Sequence, residues 1–92
     1  MTKGYSVWEK LADPVMSEAD HFLRETIVEI VEQRRVLIEN HRGVIAYGEE
    51  KILVNVRFGA ISICGQRLEL THMTKEQLVV CGSIHSVELH RR

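Results

Sequence analysis

The sequence predicts a mainly β protein: an antiparallel meander of about seven or eight short strands, forming a curled two-layer roll or sandwich, with a short N-terminal helix. Three observations predict it. From Val36 onward apolar and polar residues alternate, the pattern of a strand with one buried face. β-Branched residues crowd these runs. Turn-forming residues recur at roughly 8–10-residue intervals, so that no stretch after Gly43 is long enough for the helical crossover of a βαβ unit.

The chain opens with Ser-Val-Trp-Glu-Lys-Leu at 6–11, which sets Val7, Trp8 and Leu11 on one helical face with Ser6 as a cap. Trp8 reads either as the anchor of a helix packed on the sheet or as an exposed contact, and packing is preferred because few basic residues accompany it. Residues 1–24 are therefore expected to form an N-terminal helical segment, and 25–92 a β domain. Residues 22–35 satisfy two patterns. Phe22, Leu23, Thr26, Ile27, Ile30, Val31 and Arg34 would line one helical face opposite Glu25, Glu29 and Glu32, whereas Thr26-Ile27-Val28-Glu29-Ile30-Val31 has the β-branched composition of a strand.

Val36-Leu37-Ile38 and Val44-Ile45-Ala46-Tyr47 flank Glu39-Asn40-His41-Arg42-Gly43, a turn in which Asn40 can bond its own backbone and Gly43 can take a positive φ. Next, Ile52, Val54 and Val56 alternate with Lys51, Asn55 and Arg57. Phe58-Gly59 marks a turn, Ile61 and Ile63 follow in phase, and Gly65-Gln66 reads as a two-residue hairpin loop answered by Leu68 and Leu70. The stretch 72–77 reads as a capped helical turn or a loop. Leu78-Val79-Val80-Cys81, Gly82-Ser83 and the run from Ile84 to Leu89 read as a second tight hairpin, with a bulge where the alternation slips between Ser86 and Val87.

Glu39-Asn40-His41-Arg42-Gly43-Val44 after the Val36, Ile38 alternation resembles the hallmark of the YabP/YqfC family of sporulation proteins of endospore-forming bacteria. The similarity runs from about Glu25 to Leu89 and takes in Gly82 and the closing Ile84, Val87, Leu89 pattern. It implies that the stretch before Val36 is a strand, with its turn at Glu32-Gln33. It also implies a non-enzymatic factor of spore maturation, in cortex or envelope assembly, acting with an integral membrane sporulation protein.

Bulk properties bound the function. Ninety-two residues make one small domain, which buries only about 60–65% of its unfolded surface, so a partner or a second copy can supply part of its stability. A formal net charge of −1 lacks the basic field of a nonspecific nucleic-acid binder. No apolar run approaches the ~20 residues of a membrane span, and Met1-Thr2-Lys3-Gly4-Tyr5 leads into no signal core, so a cytoplasmic protein is expected, peripheral at most to the forespore membrane. Cys64 and Cys81 fit no metal or redox spacing and read as small strand residues.

Chemistry-bearing residues are scattered. His21, His41, His72, His85 and His90 form neither HExxH nor HxH, so no metal or other cofactor is expected, although a ligand- or metal-binding roll using His41, His72 and His85 is the competing reading. No serine or cysteine sits in an elbow motif, the glycines are singly placed, and Glu29, Glu32, Glu49 and Glu50 read as solvated. Neither an enzyme nor a small-molecule substrate is expected. The candidate interaction site is Glu39, Asn40, His41, Arg42 and Gly43, which either pins the sheet or docks a partner, with the Arg42 fork suited to a carboxylate. A self-assembling module of the spore envelope is a further reading.

Overall fold

A computed structural model describes residues 25–92, so the helix expected at 6–11 and the helical segment at 1–24 lie outside the described residues. The described chain is a single antiparallel sheet of six strands: β1 (Ile27–Val31), β2 (Arg35–Glu39), β3 (Val44–Tyr47), β4 (Lys51–Val56), β5 (Gly59–Met73) and β6 (Gln77–Arg91). Their order across the sheet is β1-β2-β6-β5-β4-β3, open at both ends. The contested stretch before Val36 is a strand, and its reversal at 32–34 places Glu32 at a φ of 52°, in the left-handed region without a glycine.

Six strands replace the expected seven or eight because neither Gly65-Gln66 nor Gly82-Ser83 reverses the chain. β5 and β6 each run 15 residues straight through these positions. The glycines instead let two backbones approach closely. A Cβ on Gly65 would lie 1.9 Å from the Ser83 carbonyl oxygen, and one on Gly82, at φ +144°, would lie 2.7 Å from that of Arg67. The reversal between β5 and β6 is at 74–76, where the Thr74 hydroxyl accepts from the Glu76 and Gln77 amides at 3.3 and 3.0 Å. The turn expected at Phe58-Gly59 is one residue earlier, with Gly59 already in β5.

Around Gly65 and Gly82 the long hairpin is irregular. His85 is an extra residue between the pairs Cys64↔Ser86 and Gly65↔Ile84, one position before the expected bulge, and between Gln66↔Ser83 and Glu69↔Cys81 the two residues Arg67 and Leu68 stand opposite Gly82 alone, with Arg67 at a φ of 55°. Such bulges bend a ladder, dividing the sheet into two arms. The first holds β1, β2, residues 77–81 of β6 and 69–73 of β5; the second holds residues 86–91 of β6, 59–64 of β5, β4 and β3. The turns before β2 and β4 close the bend from either side. The Gln33 and Arg34 carbonyls accept from the Ile84 and Gly82 amides at 2.8 and 3.1 Å, and the Glu49 and Glu50 carbonyls accept from Leu68 and Gly65 at 2.8 and 3.0 Å.

The expected roll is thus one bent sheet, not two separate sheets. Its arms share one core: Val36, Ile38, Leu78 and Val80 from the first arm cluster with Ile52, Val54, Val56, Ile61 and Ile63 from the second, all fully buried. Chain length requires the curl. In a flat sheet β2 and β3, in second and sixth place, would be about 19 Å apart, while five Cα steps reach at most about 18 Å.

Candidate functional site

The connection that makes this crossing is the 39–43 stretch. Glu39 closes β2, where its carboxylate accepts from the Gln77 side-chain amide at 3.4 Å across the β2–β6 pair. Asn40 turns the chain out of the strand at a φ of 66°, a conformation asparagine tolerates better than most residues. Its amide donates to the Glu76 carbonyl, and its side-chain Nδ2 donates to the Glu25 carbonyl at 2.5 Å. These contacts anchor the start of the loop to the first arm.

His41 lies at the centre, 8% exposed. Its Nδ1 accepts from the Gly43 amide at 2.9 Å, and its Nε2 is 2.9 Å from the Thr74 carbonyl. A carbonyl only accepts, so Nε2 carries the proton and donates, which fixes the neutral Nε2–H tautomer. The ring therefore holds the loop's own curvature and ties it to the β5–β6 turn. On the far side, the Arg42 amide donates to the Asn55 carbonyl at 2.7 Å, and the Asn55 amide donates to the Gly43 carbonyl at 2.8 Å. Gly43 takes a φ of +105°, and a Cβ there would meet nothing within 4 Å, so backbone conformation alone requires glycine.

Four members of the motif thus have partners inside the chain, while the Arg42 side chain is exposed and makes no ion pair among the described residues. The loop is a strap between the arms, with one guanidinium projecting from it. Its partners Thr74, Glu76 and Asn55 were not singled out by the sequence, because their relation to the motif exists only through the fold. Thr74 did carry a local cue, as a capping residue, for the turn that receives His41.

Other chemical groups are arranged differently. Ser62 Oγ is 3.0 Å from His90 Nε2, and Glu88 Oε1 is 3.8 Å from the same nitrogen. A nucleophile relay needs the acid on the opposite ring nitrogen, and Ser62 is only 1% exposed, so this cluster reads as cross-strand packing between β5 and β6. Cys81 Sγ lies 3.6 Å from the Thr71 hydroxyl, and Cys64 is a free thiol on the second arm. Among the described residues no three His, Cys, Asp or Glu side chains gather as a metal site, and both ring nitrogens of His41 are already engaged.

The surface carries exposed apolar side chains at Ile30, Ile45, Tyr47, Phe58, Met73 and Leu89. Phe58, Leu89 and Arg91 line an open cleft of about 370 Å³. No helix among the described residues is long and apolar enough to cross a membrane.

The model of the YabP family matches residues 23–92, which contain the whole of the described sheet and the strap. No curated protein and no solved structure matches the chain significantly.

Proposed function

The chain belongs to the YabP family, and from that premise we propose that it is a non-enzymatic sporulation protein, an adaptor or assembly factor that works with an integral membrane partner at the forespore membrane during spore maturation. The family match carries this reading, since it spans residues 23–92, including the 39–43 motif, and membership of the family points to a sporulation-related protein. The surface supports it. Arg42 projects beside a rigidly held loop, where its planar fork is preorganised to take a partner carboxylate with little loss of freedom in the backbone beneath it. Open strand edges and exposed apolar side chains give a partner further places to add.

Capture from sporulating cells tests the proposal. Full-length protein carrying an affinity tag should recover an integral membrane protein of the sporulating cell, and Arg42→Ala should lose it while remaining folded. Recovery of nucleic acid or of soluble enzymes in its place would refute it.

A further inference from the structure

The edges of the bent sheet are unequally protected. β3 has a register shift between Val44 and Ala46, which twists that edge out of line for pairing. On the second half of β5 the register shifts between Leu70 and His72, and the Leu70 amide meets the Tyr47 hydroxyl at 3.5 Å. β1 and the second half of β6 are regular, β1 pairing with β2 throughout its five residues, and of these two edges the β6 segment is the longer. Beyond His85, residues 86–91 pair with 64–59 of β5 without interruption.

The direction of its free groups follows from the ladder. The Arg92 amide donates to the Phe58 carbonyl at 3.2 Å, on the β5 side. Antiparallel strands alternate, so His90 and Glu88 also face β5, and the backbone groups of Val87, Leu89 and Arg91 face away. Among the described residues no strand pairs with that edge.

We propose that this edge pairs with the same edge of a second copy of the chain, antiparallel and with the register centred on Leu89. A strand pairing with itself about a two-fold axis forms a closed dimer without leaving a reactive end. In this register Leu89, 64% exposed, meets the partner's Leu89 beside Phe58, covering apolar surface that lines the open cleft. Glu88 faces the partner's His90, twice by symmetry, a pairing of acceptor with potential donor. A register centred on Glu88 would set two carboxylates opposite each other. One centred on His90 would shorten the overlap and set Leu89 against Arg91.

Sedimentation of the untagged full chain tests this, with cross-linking to read the register. Wild-type protein is expected to sediment as a dimer, and Leu89→Lys to raise the dissociation constant by ~100-fold, the loss typical of a central interface residue, without altering the far-ultraviolet spectrum. In a Cys64→Ser, Cys81→Ser background, Leu89→Cys should form a disulfide-linked dimer on mild oxidation, because opposed residues of a hydrogen-bonded pair sit about 5.5 Å apart at Cα, within disulfide range. Val87→Cys, facing the partner's Arg91, should not. A monomer at tens of micromolar, a dimer indifferent to Leu89→Lys, or equal cross-linking through positions 87 and 89 would each overturn the proposal.

Discussion

Replacing His41 by alanine is the perturbation that most sharply separates a strap from a recognition tip. The change removes the Nε2–H bond to the Thr74 carbonyl and the acceptor of the Gly43 amide, each at 2.9 Å, from a ring that is 8% exposed. Two such bonds contribute about 1 kcal/mol each, and a shielded amide left without an acceptor costs about 1 kcal/mol more. The Thr74 carbonyl belongs to an exposed turn and can regain water, which offsets part of its loss. The expected destabilisation is about 2–3 kcal/mol. For a domain of this size that lowers the midpoint of thermal unfolding by about 10–20 °C. Urea denaturation of the full chain, followed by circular dichroism, gives the free energy directly. A loss below about 0.5 kcal/mol, the range of ordinary surface changes, would refute the structural role assigned to the ring.

Further outcomes follow from the same geometry. Arg42→Ala should leave stability within about 0.5 kcal/mol of wild type while abolishing capture of the membrane partner; a large thermal shift would instead make the guanidinium structural. Gly43→Ala meets no neighbouring atom and should cost only the backbone strain of about 1–2 kcal/mol, whereas Gly65→Ala drives a methyl group into the Ser83 carbonyl and should destabilise more in the same urea assay. Equal costs would show that Gly65 does not lie in a close crossing. Ile63→Ala, in the fully buried cluster shared by the two arms, should cost about 2–5 kcal/mol, and a smaller value would mean that the arms do not enclose it.

Much of the β architecture was legible because its signal is local. The alternation of Ile52, Val54, Val56, Ile61 and Ile63 places these residues in the core as expected, and the turn at Glu32-Gln33 is present although Glu32 occupies the position that called for a glycine. The strand count failed at Gly65 and Gly82. A glycine beside a polar residue has the same local signature whether the chain reverses or two strands crowd together, and only the opposite strand distinguishes these cases. His85 illustrates the same limit at finer scale: the slip in alternation reveals an extra residue, but not which of its neighbours loses its partner. In the candidate loop, Gly43 announced its positive φ, whereas Asn40, expected to bond its own backbone, instead reaches the Glu25 carbonyl. The inward turn of His41 depended on a carbonyl 33 residues away and was invisible to spacing.

If the 39–43 loop straps the two arms of a single bent sheet together, nuclear magnetic resonance of the isotopically labelled full chain will register it at both ends of the loop. The expected spectra show a His41 ring protonated at Nε2 and close to Thr74, slow hydrogen exchange at the Arg42, Gly43 and Asn55 amides, and contacts that run on through Gly65 to Ile84. A solvent-exposed ring with fast-exchanging amides on both sides, or a chain reversal at Gly65, would contradict the strap.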